Sequence, residues 1–149
     1  HEQQDKQVQL KSKHNIWPPP NSDWKSPRAY ADTVGLGTSA GGLPAVIVGI
    51  ESGWRRILVS GADTPKRHPH FAPALAGCAT RLAASPELNL TIAYSAGKDR
   101  DAEAAQDLAA LFPQARLAGD PRFDEHPLLY LLHQRKELKP FLARHLLDR

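Results

Sequence analysis

From Tyr30 onward, short apolar runs alternate with segments whose apolar residues recur at helical spacing, and this alternation constrains the fold more than anything else in the chain. Tyr30 to Leu36 reads as a short strand. Leu43, Val46, Ile47, Ile50 and Trp54 fall at i, i+3, i+4, i+7 and i+11 and predict a helix. Gly41-Gly42 and Pro44 suit its start and Gly53 its stop. Ile57 to Ser60 is an apolar run with the look of a strand buried on both faces. Phe71, Leu75, Cys78 and Leu82 predict a second helix, and Leu88, Leu90, Ile92 and Tyr94 alternate as a strand. Asp99 or Asp101 begins a third helix with Ala104, Ala105, Leu108, Leu111 and Phe112 on its buried face. A brief strand at Ala115 to Ala118 and a loop from Gly119 to Pro127 lead to a final helical segment, Leu128 to Leu147, which Pro140 should break or kink.

Strands separated by helices predict an α/β fold, a parallel sheet with helices on both faces, because parallel neighbours need a crossover. In such sheets, ligands bind along the edge formed by the C-terminal strand ends. Four loops should meet there: the turn at Ser39, Gly61 to His70, Ser95 to Asp101, and Gly119 to Pro127. Upstream, residues 1–28 are polar and proline-rich and read as an extended arm, leaving residues 29–149 as the folded domain.

The chain of 149 residues has room for one domain with a core. A hydrophobic fraction of 41% against a charged fraction of 23% excludes wholesale disorder. The net charge of +3 is spread without blocks of one sign, so nucleic-acid binding is not indicated. Cys78, the single cysteine, sits among Leu75, Ala76, Ala79 and Leu82 and reads as a buried small hydrophobe. No apolar run reaches the length of a membrane span and no signal peptide is visible, so a soluble chain of unassigned compartment is expected. A start at His1 with no methionine in the chain reads as processing or a fragment.

Within this pattern, Gly37-Thr38-Ser39-Ala40-Gly41 spells G-x-S-x-G between the first strand and the first helix. A serine hydroxyl is a poor nucleophile unless a sharp turn presents it to a base, and small flanking residues let the backbone bend. The following helix brings free N–H groups and the positive end of its dipole to the site, which suits a developing oxyanion.

These segments resemble the C-terminal half of the α/β-hydrolase family. Gly35-Leu36-Gly37-Thr38-Ser39-Ala40-Gly41-Gly42 is similar to its nucleophile elbow, and Arg55 to Asp63 to the strand that follows. Leu90 to Asp101 is similar to the strand and loop that present the acid. Phe112 to Leu117 matches the next helix end and strand, and Asp124-Glu125-His126-Pro127 the histidine loop. The resemblance covers about residues 30–147 and implies a three-layer hydrolase-like sandwich, a Ser39 nucleophile, a His126 base, an Asp99 acid with Asp101 as runner-up, and the Ala40 N–H as an oxyanion donor. It implies a small-molecule or lipid ester substrate and no cofactor. It also departs from the family, since only 34 residues precede Gly35 and the usual N-terminal strands are missing. The strand at residues 30–36 would then be an exposed edge for a second chain or a missing segment to cover.

Other readings compete. The scaffold could serve as a non-catalytic binding or adaptor module, or the chain could be a fragment of a longer hydrolase. Gly35-x-Gly37 with Gly41 does not have the glycine spacing of a dinucleotide loop. Patatin-type lipases share the Gly-Thr-Ser-Ala-Gly elbow, but the chain has no Asp-Gly-Gly or Asp-Gly-Ala acid motif. Asp63, His68 and His70 do not make a clear metal set. Lys66, Arg67, His68, Lys98 and Arg100 are candidates for recognising an anionic substrate group, against the plainer reading of a solvated basic rim.

Overall fold

In the computed structural model, residues 33–147 are described. The arm expected over residues 1–28 and the beginning of the strand expected from Tyr30 lie outside them. Four strands, β1 (Val34–Thr38), β2 (Arg56–Ser60), β3 (Asn89–Ser95) and β4 (Arg116–Asp120), form a parallel sheet in the order β1-β2-β3-β4. Each parallel step needs a crossover, and helices α1 (Gly42–Ser52), α2 (Ala72–Ala83) and α3 (Asp99–Leu111) supply them in turn. The α/β fold expected from the alternation is therefore present. β1 runs on to Thr38 rather than ending at Leu36, because its register with β2 continues through Gly37↔Val59 and Thr38↔Ser60. That places the strand end directly before Ser39.

Alternation along β2 separates the two sides of the sheet. Ile57 and Val59 belong to one apolar cluster with Leu43, Val46 and Ile50 of α1, Leu75, Cys78 and Leu82 of α2, and Ala105 and Leu108 of α3. Leu58 belongs to another, with Ala93, Phe123, Leu128, Leu132 and Leu146. Helices thus cover both faces. Each buried Leu, Ile or Val contributes about 1.5–3 kcal/mol of apolar burial, so the sheet centre dominates the energetics. Cys78 lies in the first cluster, where burial pushes its thiol up from the ordinary value. Among the described residues β1 forms one edge of this sheet, and Leu36 on it is 46% exposed.

Helix ends follow local chemistry. α1 closes in a Schellman motif: Gly53, at φ +71°, donates to the Ile50 carbonyl at 3.1 Å, and Trp54 donates to the Gly49 carbonyl at 2.8 Å. The Trp54 ring then packs across Gly35, where a side chain would collide with it, and a Cβ on Gly49 would run into Ile57. At the end of α3 the expected buried pair splits, since Phe112 is fully buried while Leu111 faces outward. α3 stops at Leu111, and the extended turn of the backbone at Phe112 carries that ring back into the core.

The long final helix is the clearest departure from expectation. α4 (Leu128–Gln134) and α5 (Leu138–Leu142) are separate, and a π-helical turn, Ala143–Leu147, follows α5. The break falls at residues 135–137 and not at Pro140. Lys136 adopts φ +60°, Lys136 N–H reaches the His133 carbonyl and Glu137 N–H the Leu132 carbonyl, which is a second Schellman closure. Pro140 sits in the first turn of α5, where its missing N–H has no helical acceptor to lose.

His145 lies in that last turn, its ring 4.5 Å from Phe141 and its Nδ1 buried without a partner among the described residues. Burial, and then the charges of Arg116 and Arg144, hold its pKa below the ordinary 6.5. A histidine kept neutral in this way contributes full stability above its unfolded value and loses it as pH falls from about 6.5 toward the lower folded value. His145→Leu is accordingly expected to shrink the fall in melting temperature between about pH 7.5 and 5.5, measured by thermal denaturation at both values.

Candidate active site

The C-terminal ends of β1, β3 and β4 deliver three side chains to one place. Thr38 is still extended, at φ −126° and ψ 143°. Ser39 then takes φ +48°, and a tight turn over Ser39–Gly41 runs straight into α1. A left-handed conformation in a non-glycine residue costs on the order of 1–3 kcal/mol and persists only where its surroundings impose it. Close packing imposes it here. A Cβ on residue 37 would stand 2.5 Å from both the Ala45 Cβ and the Gly41 carbonyl oxygen, and one on residue 42 would stand 2.5 Å from the Ala62 Cβ. Gly41, the second glycine of the motif, has open space around it. The steric demand therefore rests on Gly37 and Gly42, one residue beyond the G-x-S-x-G pattern.

Ser39 Oγ lies 3.1 Å from Nε2 of His126, and Nδ1 of His126 lies 2.8 and 3.0 Å from the two carboxylate oxygens of Asp101. The carboxylate can only accept, so the tautomer of the neutral ring that suits this geometry has its proton on Nδ1 and its Nε2 lone pair toward the serine hydroxyl. Asp101 is only 6% exposed, whereas the His126 side chain is 45% exposed. The carboxylate is thus walled in, while the imidazole is open to solvent.

The partner of His126 is Asp101 and not Asp99. Asp99 occupies the first position of α3 and points into solvent. Two residues along a helix is a rotation of about 200°, which puts the two carboxylates on opposite sides. A signal for this was present in the sequence: Asp101 precedes the buried Ala104, Ala105 and Leu108 by three, four and seven residues and extends their stripe toward the site.

Backbone hydrogen bonds hold the loop after β3 and the loop after β4 together. Ala96 N–H donates to the Asp120 carbonyl at 2.9 Å and Gly97 N–H to the Phe123 carbonyl at 2.8 Å. Gly97 lies so close to Phe123 that a Cβ would come within 2.6 Å of that carbonyl oxygen. His126 itself precedes an inverse γ-turn: Pro127 has φ −82° and ψ 68°, and Leu128 N–H returns to the His126 carbonyl at 2.8 Å.

Arg122 braces the same loop. Its guanidinium holds Asp120 at 2.7 Å and Glu137, in the break between α4 and α5, at 2.8 Å. It also stacks over the buried Phe123 ring, 5.2 Å from the centroid. These bonds keep the Asp120 and Glu137 carboxyls below the usual carboxylate range.

Ala40 follows Ser39 in the tight turn, and its N–H belongs to the first amides of the helical run, which have no acceptor within it. Comparison with known proteins adds nothing to this geometry. No family model, curated protein or solved structure matches the chain.

The other candidate residues are engaged differently. Lys66 pairs with Asp107 at 2.9 Å, and Arg67 approaches Asp63 at 3.9 Å. Asp63 also accepts from His68 at 3.0 Å and from the Thr64 N–H, and these bonds together with the nearby Arg100 charge leave its carboxyl below the ordinary range. His70 packs against the Phe71 ring at 4.2 Å. The loop after β2 is thus tied to α3 through Lys66 and Asp107 and within itself through Arg67 and Asp63, with the Lys66 and Arg67 side chains still 77% and 53% exposed. Lys98 stands just before α3 with its N–H on the Ser95 carbonyl. No described helix is long and apolar enough to cross a membrane.

Proposed function

We propose that this chain is a serine hydrolase of the α/β-hydrolase type, cleaving an ester or related acyl bond through an acyl-enzyme on Ser39. One observation carries the reading: a strained serine between strand and helix, with Oγ 3.1 Å from a histidine whose other nitrogen is held by a buried carboxylate. Three side chains, from the turn after β1, the first turn of α3 and the loop after β4, meet in the order nucleophile, acid-held base and acid that the reading requires, with His126 between Ser39 and Asp101. The parallel sheet with helices on both faces would then be the C-terminal part of the hydrolase sandwich.

In the reaction, Ser39 Oγ attacks the carbonyl carbon of the substrate as its proton passes to Nε2 of His126. Asp101 holds the ring in the required tautomer and stabilises the imidazolium that forms. The negative oxygen of the tetrahedral intermediate develops beside the Ala40 N–H and the positive end of α1. His126 then returns the proton to the leaving group, and water repeats the sequence to release the acid. The substrate class is a small-molecule or lipid ester.

A fluorophosphonate probe reacts with an activated serine and not with an ordinary one, so intact-mass spectrometry tests the proposal directly. The wild-type chain should gain a single adduct, and Ser39→Ala should gain none. Folded wild-type protein that takes up no adduct would overturn the proposal and favour a non-catalytic binding module on the same scaffold.

A further inference from the structure

Gly61 follows β2 at φ +59°, its N–H donating to the Ala93 carbonyl at 2.9 Å. A left-handed glycine at a strand end is ordinary turn chemistry. What is unusual here is the neighbour. A Cβ at this position would stand 2.9 Å from Cε1 of His126, 3.3 Å from Nδ1 and 3.5 Å from the His126 carbonyl oxygen. The backbone of residue 61 therefore abuts the imidazole at the edge that includes the nitrogen bonded to Asp101. With Asp101 on Nδ1 and Ser39 facing Nε2, the ring is confined from a third direction.

We infer that Gly61 is a positioning residue for His126, and that the absence of its side chain leaves the space in which the imidazole bridges Asp101 and Ser39. The catalytic consequence rests on the serine hydrolase reading, but the effect on the ring does not. Any L-side chain at residue 61 pushes the imidazole away from its two partners. A displacement of about 1 Å in a catalytic group can cost about 10²-fold in rate.

Gly53 provides the control. It has the same left-handed backbone, at φ +71°, but its nearest neighbour outside its own turn is the Arg81 guanidinium at 3.9 Å. Gly53→Ala and Gly61→Ala should therefore lose comparable stability in urea denaturation, since both force a Cβ into a left-handed position. Only Gly61→Ala should also slow fluorophosphonate labelling of Ser39, by about 10²-fold, and shift the imidazole ¹⁵N resonances of His126, assigned by their loss in His126→Gln. Asparagine tolerates the left-handed region better than alanine, so Gly61→Asn supplies the same Cβ if Gly61→Ala does not fold. A folded residue-61 variant with unchanged His126 resonances would overturn the inference. Wild-type protein that resists the probe while the residue-61 variant still shifts those resonances would overturn the hydrolase reading and leave the positioning role standing.

Discussion

Asp101→Asn is expected to slow acylation of Ser39 by about 10⁴-fold, whereas Asp99→Asn should leave it near the wild-type rate. Both remove one negative charge from the first turn of α3, so the helix dipole and the net charge change equally in the two variants. Only Asp101 touches His126, with both carboxylate oxygens within 3.0 Å of Nδ1. An amide at residue 101 can present its NH₂ to the ring, which favours the tautomer with its proton on Nε2 and removes the lone pair that Ser39 needs. The measurement is the rate of fluorophosphonate adduct formation by intact mass, with circular dichroism to show that each variant is folded. Equal rates for the two variants would show that the carboxylate on Nδ1 contributes nothing to serine activation.

The second large effect concerns stability. Phe112→Ala should lower the unfolding free energy by about 3–5 kcal/mol, and Leu111→Ala by less than about 1 kcal/mol. The two are sequence neighbours at the end of the same helix, but Phe112 is fully buried in the cluster beneath α1, α2 and α3 while Leu111 is 39% exposed. Truncating the first opens a cavity in the layer that supports the Asp101 helix; truncating the second trims a surface. Against a total of about 5–15 kcal/mol for a domain of this kind, the Phe112 variant should show a large drop in the urea midpoint. Similar midpoints for the two variants would show that Phe112 does not anchor the end of α3 in the core.

Most of the fold was legible in the linear chain because each strand and helix has a period of its own. Ile57 to Ser60 reads as a strand buried on both faces, and its residues divide between two apolar clusters as that reading requires. Leu43, Val46 and Ile50 mark the buried face of α1, and Gly53 stops it with the left-handed backbone that glycine allows. The order of Ser39, an acidic residue near the start of α3, and His126 was visible as well. What failed were features set by contacts distant in sequence. The break after α4 depends on Lys136 adopting a left-handed turn and on Glu137 meeting Arg122, and neither leaves a local signature as strong as Pro140, which marked the wrong place. The carboxylate partners of Lys66 and Arg67 were not legible either, because Asp107 lies on a distant helix and the local turn toward Asp63 cannot be read from spacing.

The alternation of strands and helices, the serine at a strand-to-helix turn and the set of side chains able to join it are written along the linear chain, because they follow from backbone propensity and the periods of 2 and 3.6 residues. The apolar stripe of α3 pointed to Asp101, but it took the docked helix to turn Asp101 and not Asp99 toward the histidine. Their positions on α3 differ by a rotation about the helix axis, and the packing of α3 against the sheet sets that rotation. Only the tertiary structure, likewise, brought Gly42 against Ala62 and Gly61 against His126. Close approach between segments is a property of packed surfaces, and the glycines that permit it look in sequence like any other residues of a turn.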